Sequence, residues 1–96
     1  MRLIDIVKSK RDEILSLAAQ YGARNIRLFG SVARGDSDPD SDIDFLVQLD
    51  PGVTLLKHAE LVRKLRELLG CPVDVVSEHG LRERLRARVM QEAQPV

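Results

Sequence analysis

The stretch Gly30-Ser-Val-Ala-Arg-Gly-Asp-Ser-Asp-Pro-Asp-Ser-Asp-Ile-Asp44 determines which fold this sequence is expected to adopt. It begins with small residues and then places an aspartate at every second position from 36 to 44. No lysine or arginine lies between positions 36 and 50, so these carboxylates have no local counter-charge. A solvated acidic loop accounts for the first three aspartates. It does not account for Asp42 and Asp44, which lie at the start of an apolar segment.

Asp42 and Asp44 are predicted to point to the same side of a strand. Side chains alternate along a strand, so Ile43 and Phe45 take the opposite face, toward the core. The two carboxylates would then lie about 6–7 Å apart along the strand. Like charges at that separation repel each other, and a divalent cation between them would remove the repulsion.

Asp74 has the same character, because it interrupts the apolar segment Val73-Asp-Val-Val76. An aspartate in a short strand is as often an edge residue as a ligand. Beside Asp42 and Asp44, however, it would complete a set of three carboxylates on neighbouring strands. Such an all-oxygen site suits Mg²⁺ or Mn²⁺, which retain water molecules that a phosphate can displace.

Upstream, Phe29-Gly-Ser-Val-Ala-Arg-Gly35 leaves a predicted strand and enters a turn. Gly30 lets the backbone approach a ligand, and Ser31 is expected to begin a short helical turn as its N-cap. Backbone N–H groups in such a turn point toward an anion. Taken alone, this is also an ordinary Gly-Ser turn. Together with the three carboxylates, it forms the two halves of a nucleoside triphosphate site.

Two other residues of this stretch keep two interpretations each. Arg34 either contacts the triphosphate or forms a salt bridge with one of the aspartates that follow it. Ser41 either caps the loop or contacts phosphate through its hydroxyl group.

Two competing motifs fail on inspection. An EF-hand started at any of the first three aspartates lacks the glycine at its sixth position and the glutamate at its twelfth. A Walker A loop started at Gly30 would have Asp36 where the motif needs lysine, which reverses the charge offered to the phosphates.

The hydrophobic pattern outside this stretch predicts interleaved helices and strands. On the middle helix, the apolar positions Leu55, Ala59, Val62, Leu65 and Leu69 are expected to share one face. The order α-β-loop-β-α-β-α predicts an α/β (α+β) fold, with a small mixed sheet and helices packed on it. The predicted elements are a helix over 3–21, a strand over 25–29, a loop over 30–41, a strand over 42–49, a helix over 54–69, a strand over 73–76 and a last helix marked by Leu81, Leu85 and Val89.

Composition restricts the function more than it defines it. The 96 residues carry 15 basic and 15 acidic side chains, so no strong nucleic-acid or membrane binding is expected. No apolar run exceeds three residues, which predicts neither a spanning helix nor a signal-peptide core. Cys71 is the single cysteine, which leaves no disulfide framework. We therefore expect a soluble, cytoplasmic, single-domain protein.

The spacing Gly30-Ser31, ten residues, then Asp42-x-Asp44 resembles the signature of the DNA-polymerase-β-like nucleotidyltransferase superfamily. With Arg34-Gly35 and Ser41-Asp-Ile-Asp44, the stretch is similar to the minimal nucleotidyltransferase (MNT) family of bacteria and archaea. The resemblance extends over nearly the whole chain and implies that 1–96 is one minimal nucleotidyltransferase domain with the fold of that superfamily.

The resemblance implies a role for each candidate residue. Asp42 and Asp44 would hold two divalent metals, Mg²⁺ or alternatively Mn²⁺. Asp74 would ligate the metal nearest the nucleophile and help to remove its proton. Gly30 and Ser31 would hold the β- and γ-phosphates of ATP. The implied reaction is transfer of AMP from ATP to a hydroxyl group, with pyrophosphate as the leaving group.

The acceptor is also implied by the resemblance. The usual partner of the MNT family is a small helical HEPN protein, typically a ribonuclease toxin. The MNT protein is the antitoxin, which modifies a tyrosine of the toxin within a hetero-oligomer. Two alternatives stay open, namely a nucleotidyltransferase that modifies a small molecule such as an antibiotic, and a non-catalytic antitoxin that acts by binding its partner.

Several remaining residues are expected to be structural. His58, His79 and Cys71 lie away from the motif in sequence. The arginines of the last helix are expected to form a solvated face, with contact to an acidic partner or to the triphosphate as the alternative: Arg82, Arg84, Arg86 and Arg88.

Overall fold

A computed structural model of the protein describes residues 2–96. Its elements, in chain order, are α1 (Leu3–Ser9), α2 (Arg11–Gln20), β1 (Ala23–Phe29), α3 (Gly30–Arg34), β2 (Ile43–Leu49), α4 (Leu55–Leu69), β3 (Val73–Ser77), a 3₁₀ turn (Glu78–Gly80), α5 (Glu83–Glu92) and β4 (Gln94–Pro95). The predicted α/β class is therefore confirmed.

The four strands form one sheet in the order β3-β2-β1-β4. β2 runs parallel to β3 and antiparallel to β1, so the sheet is mixed, as predicted. One face carries the main core: Phe45 and Ile43 on β2 are fully buried with Ile14 of α2 and Leu61 of α4. The opposite face carries Asp44 and Leu46, because side chains alternate along β2.

The first predicted helix is divided into two at Lys10. The backbone of Lys10 leaves the helical region with φ −112° and ψ 19°. The hydroxyl of Ser9 donates to the carbonyl of Ile6 at 2.8 Å, in competition with the helix backbone. The apolar face survives the break, since Val7 and Ile14 on either side of it are both buried.

The predicted loop over 30–41 begins instead as the helix α3. Val32 anchors α3 by packing into the core with only 3% of its surface exposed. Gly35 ends the helix in the left-handed conformation at φ 81°, which glycine adopts without strain. The residues of this stretch are typical of turns, and α3 has only one buried residue, so the hydrophobic pattern did not indicate a helix.

Only part of the predicted apolar face of α4 is buried. Leu65 and Leu69 are buried, but Leu55 is 87% exposed and Ala59 is also exposed, whereas Leu61 takes a core position. The sequence offers apolar residues on two adjacent stripes of this helix, and packing against α2 and β3 selects one of them. Thr54 caps the helix by accepting a hydrogen bond from the Lys57 N–H at 3.1 Å.

α5 lies over the face of the sheet opposite the main core, and Leu85 on it stays 43% exposed. Within residues 2–96, no helix combines the length and apolar character needed to cross a lipid bilayer.

Candidate active site

The three predicted aspartates lie at one end of the sheet. Asp44 of β2 and Asp74 of β3 are direct partners in the parallel register, so their side chains leave the same face of the sheet. Asp42 immediately precedes β2 and is exposed, as is Asp74, whereas Asp44 is half-buried. The chain therefore gathers carboxylates that are far apart in sequence at neighbouring strand positions.

These carboxylates interact unfavourably. Burial, followed by the negative charges of Asp74 and Asp42, raises the pKa of Asp44 from its ordinary value of 3.8 to about 6. The charge of Arg34 lowers the pKa of Asp44, but this effect is the smallest of the four. A cluster with a carboxylate pKa shifted upward in this way is a typical feature of a functional site.

Gly30 lies directly against the carboxylate of Asp44. Its φ of 76° is in the left-handed region, and a Cβ atom at this position would overlap Oδ2 of Asp44. Glycine is required here both by the backbone conformation and by the space. The first residue of the turn predicted to bind phosphate is thus in contact with Asp44.

Ser31 lies inside α3 and not at its cap, so its predicted N-cap role is wrong. The residue before the helix is Phe29, which has extended backbone and makes no side-chain capping bond. With Phe29 as the N-cap, the helix begins at Gly30, two residues earlier than an N-cap at Ser31 would place it.

Arg34 forms salt bridges that favour one of its two interpretations. Its Nε lies 3.2 Å from Oδ2 of Asp36, and its Nη1 lies 3.3 Å from Oε2 of Glu92. The second contact joins α3 to α5. Ser41 caps the acidic loop, since its Oγ accepts a hydrogen bond from the Asp38 N–H at 3.0 Å.

The donor chemistry of the site suits a hard divalent cation, because all three side chains offer carboxylate oxygens. The positions do not yet form a complete ligand set. Within residues 2–96, no three His, Cys, Asp or Glu side chains are arranged to hold a metal ion. The strand register brings Asp44 and Asp74 side by side, with Asp42 close enough to raise the pKa of Asp44.

Two features near the site escaped sequence analysis. Glu92 binds Arg34 across 58 positions, and no local pattern signals such a contact. His58 and Arg66 of α4 bind the backbone of β3: His58 Nε2 lies 2.7 Å from the carbonyl oxygen of Val75, and Arg66 Nε lies 3.1 Å from that of Val73. The expected structural role of His58 agrees with its contact.

Comparison with known proteins identifies this architecture. The family model described as a nucleotidyltransferase domain matches residues 2–96. The protein adenylyltransferase MntA of Thermococcus cleftensis is 40% identical over 76 residues, which cover 79% of this chain and 77% of that protein.

Solved structures show the same fold. A structure described as a candidate minimal nucleotidyltransferase is 49% identical, with a TM-score of 0.88 and coverage of 97% of this chain and 95% of that one. A toxin–antitoxin structure with AMP-PNP is 27% identical, with a TM-score of 0.76 and coverage of 88% and 69%. A tri-AMPylated Shewanella oneidensis HEPN toxin in complex with its MNT antitoxin matches at 23% identity and a TM-score of 0.70, covering 92% and 69%, which is a likeness of fold.

The chain belongs to the nucleotidyltransferase domain family. Its relatives place it within the minimal nucleotidyltransferases, and the family resemblance found in the sequence is confirmed.

Proposed function

We propose that this protein transfers AMP from ATP to a tyrosine hydroxyl of a HEPN toxin and so acts as the antitoxin of that pair. One observation carries the proposal: Gly30 of the predicted phosphate-binding turn contacts Asp44, whose partner across the strands is Asp74. A triphosphate held at the turn would therefore lie beside the carboxylates. The match to MntA, a protein adenylyltransferase, supports AMP as the transferred group.

The proposed division of roles follows the residue chemistry. Gly30 and Ser31 would bind the β- and γ-phosphates of ATP through backbone N–H groups and the Ser31 hydroxyl. Asp42, Asp44 and Asp74 would hold two Mg²⁺ ions, with Mn²⁺ as the alternative metal. The bound ions would offset the charge of the triphosphate and favour ionisation of the acceptor hydroxyl. Arg34 would need to leave Asp36 or Glu92 to reach a phosphate.

The reaction balances without any further reactant. The tyrosine oxygen attacks the α-phosphorus of ATP, an O–P bond to the tyrosine forms, and the bond between the α-phosphorus and the β-phosphate oxygen breaks. Pyrophosphate leaves with its electron pair. Asp74 is placed at the exposed rim of the site, where its carboxylate can accept the phenolic proton. Because ATP is an intracellular nucleotide, we place this activity in the cytoplasm.

The test uses the purified chain, ATP, Mg²⁺ and the HEPN protein encoded beside it, with the masses of both chains measured before and after incubation. We expect AMP units on the partner, and none when Asp42→Asn and Asp44→Asn are combined. A matched control is Asp38→Asn with Asp40→Asn, which removes two charges from the same acidic segment.

The two alternatives predict different results. If the double variant at 42 and 44 protects cells from the toxin as well as the wild type does, binding alone is the antitoxin mechanism. If no mass change and no complex are found with the partner, a small-molecule acceptor becomes the better explanation, and a thermal shift with candidate antibiotics that requires ATP and Mg²⁺ would identify it.

A further inference from the structure

A groove between α4 and the edge strand β3 opens next to Asp74. Its volume is about 400 Å³. We call it the α4–β3 groove, and the residues that line it include Leu55, His58, Val62, Arg63, Arg66 and Asp74. The groove thus runs from an apolar wall on α4 to one of the three candidate metal-binding carboxylates.

The apolar wall is unusually exposed. Leu55 is 87% exposed and its neighbour Leu56 is 72% exposed, at the first turn of α4. Single exposed leucines are common on protein surfaces. Leu55 and Leu56 are adjacent in the chain, so together they expose a larger apolar surface at this end of α4. Leu55 lines the groove itself.

The groove also carries positive charge that is only partly matched. Arg63 forms a salt bridge with Glu67 at 2.8 Å. Arg66 donates through Nε to the carbonyl of Val73, and within residues 2–96 no carboxylate lies within salt-bridge distance of it. Its occupant is therefore expected to carry an acidic group as well as apolar side chains.

The floor of the groove is fixed. The hydrogen bonds from His58 to the carbonyl of Val75 and from Arg66 to that of Val73 attach α4 to the outer edge of β3. These side chains occupy carbonyl groups that an added strand would need, so the edge is protected against simple extension of the sheet. Side-chain contact in the groove, and not strand pairing, is the mode of docking that this arrangement permits.

A second cavity of about 420 Å³ lies between α1 and residues 35–39, but none of the three aspartates lines it. Asp74 lines the α4–β3 groove, where an apolar surface lies beside it.

We propose that the α4–β3 groove binds the polypeptide segment of the protein partner that presents the acceptor hydroxyl, through apolar contact at Leu55 and Val62 and through an acidic residue at Arg66. The inference rests on the proposed AMP transfer, because it takes Asp74 as the carboxylate nearest the acceptor. It adds the surface that selects the acceptor.

The experiment compares Leu55→Glu with Leu85→Glu. Leu85 is also exposed, at 43%, but lies on α5 outside the groove. We expect Leu55→Glu to lower kcat/KM for the partner at least tenfold, mainly through KM, with the thermal shift induced by Mg²⁺-ATP unchanged. Leu85→Glu should stay within twofold of the wild type. Equal effects of the two changes would overturn the proposal.

A charge test uses Arg66. Arg66→Gln should reduce kcat/KM for the partner several-fold, and Arg66→Lys should restore most of it, because the lysine keeps the positive charge. If both variants behave alike, the hydrogen bond to Val73 and not the charge is what matters, and the acidic occupant is wrong.

Other occupants give distinct results. A fall in Mg²⁺-ATP binding by Leu55→Glu would mean that the groove holds the nucleotide. Conversion of a dimer to a monomer, measured by sedimentation, would mean that a second copy occupies it. Should the wild type transfer no AMP, partner binding still decides: the groove is confirmed if Leu55→Glu weakens the complex and Leu85→Glu does not, and it is wrong if both bind normally.

Discussion

The sheet face that carries Asp44 has charged side chains at both ends. Arg27 and Glu78 form a salt bridge at one end, which we call the closed end, whereas Asp44 and Asp74 bring like charges together at the other, the open end. At one end Arg27 of β1 and Glu78 form a salt bridge with side chains only 10% and 12% exposed. Gln48 donates to the second oxygen of Glu78 at 3.0 Å, and Arg86 of α5 donates to its backbone carbonyl. Leu46 is fully buried on this face.

At the other end of the same face, Asp44 and Asp74 lie side by side, and among residues 2–96 no basic side chain forms a salt bridge with either of them. Arg34, whose charge lowers the pKa of Asp44, makes its salt bridges with Asp36 and Glu92. The pKa shifts of Glu78 at the closed end and Asp44 at the open end have opposite signs. The hydrogen bond from Arg27 lowers the pKa of Glu78, whereas burial raises that of Asp44.

The charges at the closed end therefore stabilise the fold, whereas those at the open end are present although they destabilise it. Removing a charge at the closed end leaves a buried partner unmatched and should destabilise the protein. Removing a charge at the open end relieves repulsion and should stabilise it, at the expense of activity. Such a trade-off is expected where a site needs an unfavourable arrangement.

The largest expected effect is on activity at the open end. Asp44→Asn should lower the rate of AMP transfer on the order of 10³-fold, because loss of a metal-ligating charge removes several kcal/mol of transition-state stabilisation. Initial rates of AMP incorporation into the partner measure this. Asp40→Asn, in the same acidic segment, is the control and should keep nearly full activity. A residual rate above about a tenth of the wild type would contradict the role of Asp44.

The next effect tests the contact between the two motifs. Gly30→Ala places a methyl group in steric overlap with Oδ2 of Asp44, so the carboxylate must turn away. The φ of 76° adds about 1–2 kcal/mol of strain. Gly35→Ala has a similar φ of 81° but meets nothing within 4 Å. We therefore expect both changes to lower stability, and Gly30→Ala to lower it at least as much as Gly35→Ala, measured by urea unfolding.

Transfer activity distinguishes these two variants. Only Gly30→Ala should lower the rate, by about 10²-fold, since only that change displaces an aspartate on which transfer depends. Equal activity of the two alanine variants would show that the contact between Gly30 and Asp44 has no functional consequence.

The closed end predicts a loss of stability. Arg27→Met keeps the length and apolar stem of the side chain but leaves Glu78 without its cation, which should cost about 2–3 kcal/mol, since the pair is not fully buried. The effect should depend on pH. Because the folded pKa of Glu78 lies below its ordinary 4.5, the stabilisation is present above pH 4.5 and is lost as the pH falls through the lowered value.

Chemical unfolding of the wild type and Arg27→Met between pH 7 and pH 3 measures this dependence. The two stability curves should converge as Glu78 becomes protonated. Curves that stay parallel over this range would mean that packing of the Arg27 stem, which also contacts Met90 through Nη1 at 3.7 Å, accounts for the loss.

The open end was far more predictable from sequence than the closed one. Asp42, Asp44 and Gly30 lie in one short motif, and the alternation of strand side chains is enough to place the two aspartates on one face. Asp74 could be added because an acidic residue in an apolar strand is conspicuous. These patterns involve residues that are close in sequence, and the residues are ones that the stability of the fold does not require.

The closed end carries no such signal. Arg27 and Glu78 are 51 positions apart and look like ordinary surface residues. Their pairing depends on how β1 and the turn after β3 meet beneath α5, which only the assembled sheet decides. The buried stripe of α4 was not predictable for a related reason, since Leu55 and Leu61 are equally apolar and tertiary packing determines which of them is buried. Long-range packing is thus the part that one sequence does not reveal.

The smallest expected effect is a gain of stability at the open end, which is opposite in sign to the loss expected at the closed end. Asp44→Asn, which should abolish most activity, should stabilise the metal-free protein by about 1 kcal/mol at pH 8, after allowing for solvent screening of this half-exposed group. For a protein of this size that corresponds to a rise in Tm of about 4–8 °C.

The sign follows from the pKa of Asp44, which is 3.8 ordinarily and about 6 in the folded protein. Ionisation is therefore harder in the folded state, so the destabilisation is absent below pH 3.8, grows between pH 3.8 and 6, and is complete above pH 6. Melting curves with EDTA should show the largest gain for Asp44→Asn at pH 8 and almost none near pH 4. A variant less stable than the wild type at pH 8 would mean that the Asp44 carboxylate stabilises the fold and that the two ends do not differ in kind.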